Sequence, residues 1–391
     1  MLWTLEQCRW IYNYMLDSLN KQEKIDRLKL QSYLPELKKY YPNLGLQDEH
    51  SKALQYEVYR LFSNLKTLNQ LKKNGKKVGR LRFKSKNRFK SFTYNQSGFE
   101  IIKTGNRMDM LSLSKIGDIP IRIHRDIEGT IKQITVKVCA SGKWFAFIMV
   151  EQPSVQCTKI EKVVGIDVGL TDFLSDSDNF VVDNLHFLKK MLKKLRHEQQ
   201  RLSRMKLKSK NYQKQRKRVA VLHETITNQR NDFLHKLSRR YVNVYDLICS
   251  EDLNIKQMIE SVENDPKLTR RQRKQRRQSI YDVAWAHFFA MVSYKAESAG
   301  KIFLQVDPRH TTQECSNCHN QIEMSLWERT YKCQNCGLII PRDYNSSLVI
   351  KQRGIQKFLA GNHANVDIEP LLKSSILARS MNEARSYFQN L

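Results

Sequence analysis

Apolar residues recur at helical spacing through residues 1–75. Trp3, Leu5, Trp10, Ile11, Tyr14, Met15 and Leu19 form one series. Ala53, Leu54, Tyr56, Val58, Leu61, Phe62, Leu65 and Leu68 form another. Steps of three and four place such residues on one helix face. Pro35 and the turn Pro42-Asn43-Leu44-Gly45 separate the two series. Between 99 and 150 the period falls to two. Ile121 and Ile123 flank Arg122, and Ile134, Val136 and Val138 alternate with polar residues. The turn Ala140-Ser141-Gly142-Lys143 leads into Trp144-Phe145-Ala146-Phe147. A small sheet or barrel is expected there.

The pattern then mixes strands with helices. Val163 to Gly169 is a short apolar strand with an acid, Asp167, near its end. The polar turn 175–179, which holds Asp176 and Asp178, precedes Phe180-Val181-Val182, predicting a hairpin. Residues 187–240 predict a pair of long helices. Leu247-Ile248-Cys249-Ser250-Glu251-Asp252 is a second strand ending in acids, and Lys301 to Val306 is a third. Ile280 to Ala299 predicts one amphipathic helix between them, and a last helix is expected to start near Asp343. The whole reads as a multi-domain α/β protein.

Charge narrows the partners. Among 391 residues, 68 Lys and Arg face 39 Asp and Glu, a formal net charge of +29. Such a surface seeks a polyanion, and nucleic acid is the default, because each phosphate contact releases condensed counterions. The rival polyanion is a membrane surface, but the longest apolar run, Trp144 to Val150, is too short to span a bilayer. No signal peptide opens the chain, since Arg9 and Asp17 interrupt any apolar stretch, so an intracellular, cytoplasmic protein is expected.

The cations cluster. Ten of the 19 residues in 72–90 are basic, interleaved with Phe83 and Phe89 and followed by Phe92 and Tyr94. Rings that stack on bases beside cations that hold phosphates suit nucleic acid; the alternative is a basic loop anchored by two phenylalanines. Residues 189–218 carry 14 cations in 30, either a solvated helical face or a second phosphate-tracking surface. Residues 270–277 hold six in eight.

Four of the eight cysteines lie within 22 residues. Cys315-Ser316-Asn317-Cys318 and Cys333-Gln334-Asn335-Cys336 are two CxxC pairs, 14 residues apart. Two intervening residues let a knuckle turn aim both thiolates at one ion, and the loop brings the second pair round to close a tetrahedron. Four thiolates leave no open position, so the zinc is expected to be structural. His319 is superfluous as a ligand.

Asp167, Glu251 and Asp343, the last in Pro341-Arg342-Asp343-Tyr344-Asn345, sit at strand ends or a helix start. Singly, each would be a turn or cap residue. Converging, three carboxylates would hold two divalent ions, most naturally Mg²⁺, for phosphodiester hydrolysis.

These stretches resemble the TnpB (OrfB-type) proteins of insertion sequences, relatives of type V CRISPR effector nucleases. The resemblance is carried by Cys8 to Asn13, Leu34 to Lys38, Gly79 to Ser85, Gly165 to Leu170, Asn228 to Lys236, Glu251 to Asn254, Val306 to Cys318 and Arg342 to Asn345. It implies an RNase H-like RuvC nuclease domain with an inserted zinc ribbon, preceded by a β-barrel wedge domain with a helical recognition insert. The implied division is 1–75 helical recognition, 76–160 wedge, 161–311 first RuvC part with the basic insert 187–240, 312–340 ribbon, 341–355 last RuvC part and 356–391 tail. Family members usually begin with a basic strand; here Met1 falls almost on the first helix, so either the barrel is expected to lack one strand or the true start lies upstream. Leu81 stands where the family commonly has proline, and Ser346-Ser347 where alanines are usual.

The implied activity is RNA-guided cleavage of double-stranded DNA, with the guide RNA drawn from the transposon end. Asp167, Glu251 and Asp343 occupy the catalytic, Mg²⁺-binding positions, and Cys315, Cys318, Cys333 and Cys336 the zinc positions. The alternatives are an RNA-guided binder or transposition regulator that does not cut, and a zinc-ribbon scaffold whose acids are structural.

Overall fold

The computed structural model describes residues 1–21, 26–105, 107–153, 155–325, 327–361 and 366. The expected tail after 366 lies outside them. Contacts divide the chain into two units, 1–153 and 154–391.

The first unit opens with helices α1 (Leu2–Lys21), α2 (Arg27–Tyr40) and α3 (Ser51–Lys73). Asp26 caps α2 by accepting from Lys29 N, 2.7 Å away, which satisfies one of the unpaired amides at that helix start. Strands β1 (Ser91–Asn95), β2 (Phe99–Ile102), β3 (Asp109–Leu113), β4 (Gly117–Ile121), β5 (Thr130–Val138) and β6 (Trp144–Glu151) follow. One core joins Ile11, Met15, Leu54, Val58 and Leu61 of the helices to Phe92, Tyr94, Ile134 and Val136 of the sheet. The expected barrel is not closed among the described residues. β1, β5 and β6 form one antiparallel sheet, and β2, β3 and β4 form another. Between β1 and β2 the chain turns through Gln96 and Gly98, both at positive φ, so β2 leaves the sheet that β1 joins.

The basic run 72–90 begins in the last turn of α3 and continues as irregular chain. Asn13 pins it to α1: its Nδ2 donates to Lys84 O (3.0 Å), and its Oδ1 accepts from Lys84 N (2.8 Å). Of the two expected anchors, Phe89 is buried and Phe83 is exposed.

The second unit is built on a five-stranded sheet. Its strands are β7 (Val163–Val168), β8 (Asp172–Asp176), β9 (Val181–Asp183), β10 (Leu247–Glu251) and β11 (Ile302–Val306). The order is β11-β10-β7-β8-β9. The first three are parallel, and β8 and β9 run antiparallel as hairpins. Helices α4 (Phe187–Ser203) and α5 (Lys210–Val244) are the expected basic pair; α6 (Ile255–Asn264), α7 (Arg270–Val283) and α8 (Trp285–Ser298) separate β10 from β11. The single helix expected over 280–299 is two, because Ala284 turns left-handed at φ 58° and breaks the run. The cations of 270–277 therefore lie on α7, which opens with a Thr269–Gln272 capping box. Arg230 of α5 donates to Asp282 of α7 at 2.6 Å, and Asp282 also accepts from Leu188 N, tying three helices at one buried carboxylate.

After β11 come the ribbon strands β12 (Thr330–Lys332) and β13 (Ile339–Pro341), then α9 (Arg342–Ala360). α9 lies against β7 and β10 at two glycines. A Cβ on Gly165 would meet Ser347 O at 2.0 Å, and one on Gly354 would meet Cys249 Sγ at 2.1 Å. Ser346 and Ser347 are fully buried in the same contact. No helix among the described residues is long and apolar enough to cross a membrane.

The close seat makes a prediction. Gly165→Ala should destabilise by about 1–3 kcal/mol, because backbone atoms of α9 must move. Gly79→Ala, in open space at an ordinary φ, should leave stability within about 0.5 kcal/mol. Denaturant unfolding of the two variants checks the contrast.

Candidate active site and metal centre

Asp167 and Glu251 are brought together by strand pairing. β7 and β10 are in register up to Ile166 opposite Ser250, so the next residues of the two parallel strands are the two acids. Asp343 reaches the same place from the first turn of α9. The electrostatics record the proximity. Burial pushes the Asp167 carboxyl well above the usual range, and the charges of Glu251 and Asp343 push it further, with Arg342 opposing. Burial also raises Glu251, against the Thr311 hydroxyl and Arg353.

The three carboxylates do not draw as close as a ligand set. Among the described residues, the four cysteines are the only group of three or more possible ligands whose donor atoms lie within 4.8 Å of one another. Asp343 is instead held by two arginines: Arg342 Nη2 at 2.8 Å from Oδ1, and Arg329 Nη1 at 3.4 Å from Oδ2. Arg329 also donates to Thr171 Oγ1 at 3.1 Å. Asp167, buried and in the field of two further carboxylates, belongs to an oxygen donor set short of positive charge, and this fits hard divalent cations.

The four thiols form the tighter cluster. Cys315 and Cys336 Sγ lie 3.6 Å apart, and Cys318 and Cys333 Sγ lie 3.4 Å apart. A zinc tetrahedron with ~2.3 Å bonds has sulfur edges of roughly 3.8 Å, so the cluster can hold that ion. Backbone donation from Leu338 and the Asn317 side chain lower the Cys336 thiol to about 6, as a thiolate ligand needs. Burial pushes Cys315 up to about 12. Gly337 takes φ 72° just after the second knuckle. His319 Nδ1 sits 2.8 Å from Glu314 Oε1, consistent with its being no ligand.

Reading the sequence alone missed the residues that join these two places. Asn345, fully buried on α9, accepts from Ser316 N (3.0 Å) and donates to Glu314 O (2.7 Å). Gln352 donates to Ser316 O at 2.7 Å, and Arg353 donates to the backbone oxygens of Asp307 and Arg309. The first knuckle is thus fastened to the helix that carries Asp343. Buried Thr311, in the approach to the first knuckle, donates to Glu251. A polar residue two positions after a candidate acid, as Asn345 follows Asp343, is the only signal the pattern offered.

Asp176, in the hairpin turn, is hydrogen-bonded at both carboxylate oxygens. Asp176 is buried; its Oδ1 accepts from Asp178 N and Phe180 N at 3.0 and 2.9 Å, and its Oδ2 accepts from Tyr241 OH at 2.8 Å. Alternation within a short turn gave no hint of this, because its partner lies 65 residues away.

Comparison with known proteins then places the chain. Residues 147–262 match the OrfB_IS605 model, "Probable transposase", and residues 285–350 match the "Cas12f1-like, TNB domain" model. The Escherichia coli (strain K12) protein named "Putative RNA-guided DNA endonuclease InsQ" is 30% identical over 369 residues, spanning 91% of this chain and 87% of that protein. The chain belongs to the TnpB (OrfB-type) family. Another similar protein, a "Putative RNA-guided DNA endonuclease" of Streptomyces pristinaespiralis, is 27% identical over 95% of this chain and 89% of its own. Among solved structures, Cas12f1 in its complex with sgRNA and target DNA superposes with a TM-score of 0.57 at 17% identity. That match covers 90% of this TnpB-family chain and 81% of Cas12f1, a likeness of fold.

Two expectations follow. Purified protein should carry about one zinc per chain by elemental analysis, and Cys333→Ser should lose it, since three thiolates bind far more weakly than four. Asp176→Ala should cost about 1–3 kcal/mol by stranding Tyr241 OH and two amides, measured by thermal unfolding against Asp178→Ala, whose half-exposed carboxylate should matter less.

Proposed function

We propose that this chain is a transposon-associated, RNA-guided endonuclease that cuts double-stranded DNA by Mg²⁺-dependent phosphodiester hydrolysis. The observation that carries the reading is the buried Asp167 carboxyl at the end of β7, paired beside Glu251 and in the field of Glu251 and Asp343, in a chain of the TnpB family. The sheet order, with three parallel strands and an antiparallel hairpin edge, supports an RNase H-like RuvC domain over 161–311 and 341–355. The ribbon, 312–340, is its zinc-bearing insert. Residues 1–75 and 76–160 are proposed as recognition and wedge regions, the latter as paired sheets rather than a barrel.

Divalent ions held by the three carboxylates would activate water and neutralise the leaving 3′ oxygen. The protein's own contribution is placement. Parallel pairing sets Asp167 beside Glu251, and Thr311 orients the Glu251 carboxylate. Arg342 and Arg329 balance Asp343 and would have to release it as cations bind. Guide pairing would read the target, while the protein reads duplex shape and a short adjacent motif. The basic runs 72–90, 189–218 and 270–277 would hold phosphates without reading sequence.

Asp167→Ala tests the reading on a plasmid target with a matching guide. Cleavage should fall by at least about a thousandfold, while guide and target binding survive on remote cations and base pairing. Cleavage at the wild-type rate would refute the assignment. Wild-type protein that binds guide and target without cutting would support the binder instead.

A further inference from the structure

Trp327 is 87% exposed, more than any other large apolar side chain among the described residues. It sits in the ribbon, between the two knuckles. The two residues that follow it are held in place. Arg342 Nη1 donates to Glu328 O at 3.0 Å, and Arg342 N donates to Arg329 O at 2.8 Å. The next residue after Arg342 is Asp343, and the Arg329 guanidinium reaches the Asp343 carboxylate. A bare indole thus precedes two anchored residues and lies two positions from a contact to a candidate catalytic acid.

An indole offers an apolar face of about 150–250 Å². That is too small for a stable protein interface, which needs roughly 800 Å² per partner. It matches one nucleobase, whose π-face stacks on an aromatic ring whatever its identity. Charge agrees: the neighbouring Arg329 side chain is more than half exposed, and the second unit is rich in cations that hold a nucleic-acid backbone. RNA-guided opening of a duplex leaves one DNA strand unstacked, and its bases lack a stacking partner.

We infer that Trp327 is a base-stacking platform that receives an unpaired base of the DNA strand being cut and so positions that strand at the acids. This rests on the endonuclease reading for the identity of the strand. Trp327 is a positioning residue: it touches a base beside the reacting phosphate and moves no proton.

The test uses full-length, guide-loaded protein. Tryptophan emission is measured for wild type and Trp327→Phe, and the difference isolates Trp327 from the other four tryptophans. The probes are a short oligothymidylate, an oligouridylate and an abasic deoxyribose-phosphate oligomer of equal length. Oligothymidylate should quench the difference signal, oligouridylate should quench it less, and the abasic oligomer should not. In the cleavage assay Trp327→Ala should slow cutting about tenfold at unchanged target affinity, and Trp327→Phe should recover most of the rate. Absence of quenching by oligothymidylate, equal quenching by the abasic oligomer, or stronger quenching by oligouridylate would each overturn the inference. So would wild-type cutting by Trp327→Ala. If wild-type protein fails to cut, the endonuclease reading falls while the quenching result still decides whether Trp327 stacks a base.

Discussion

The second unit depends on how closely α9 can approach the sheet. Helix and sheet backbones meet at Gly165 and Gly354, where a single methyl group would overlap Ser347 O or Cys249 Sγ. Ser346 and Ser347 continue the same small-residue contact. Close packing of this kind leaves little room for adjustment, since interiors are as dense as molecular crystals. Its consequence is chemical. The start of α9 falls beside the ends of β7 and β10, so a third acid joins the two that strand pairing has already set side by side. The glycine two positions before Asp167 and that acid serve one purpose: the first lets the helix in, and the second meets the acid the helix carries.

The ribbon shares that seat. Asn345, Gln352 and Arg353 fasten one face of α9 to the first knuckle and its approach, while Arg329 and Arg342 link the second half of the ribbon to Asp343. A metal that ordered the four thiols would therefore also order the helix bearing the acid. The arginines around Asp343 balance one of three crowded carboxylates. Divalent cations would take over that role, and the helix N-terminus already favours negative charge there.

Local pattern made much of this legible. Apolar runs ending in acids marked β7 and β10, the CxxC spacing marked the knuckles, and the basic helical pair matched α4 and α5. What escaped was whatever depends on partners distant in sequence or on a single residue's backbone or position. Asp176 looked like an ordinary turn acid, yet Tyr241 comes from α5 to hydrogen-bond it. Ile280 to Ala299 kept its helical period through Ala284, so apolar spacing could not reveal the left-handed break. The sheets of the first unit alternate as a barrel would; alternation specifies a face, not which strand pairs with which. Trp327 carried no periodic signal at all, being a single residue in a turn.

The central claim is that Asp167, Glu251 and Asp343 form one divalent-metal site across β7, β10 and α9. Anomalous diffraction from crystals of the guide-loaded protein soaked in Mn²⁺ tests it most directly. The account predicts manganese peaks between the three carboxylates, with Asp343 released from Arg329. Fully occupied manganese elsewhere, with no peak at these acids and Asp343 still paired to both arginines, would contradict it.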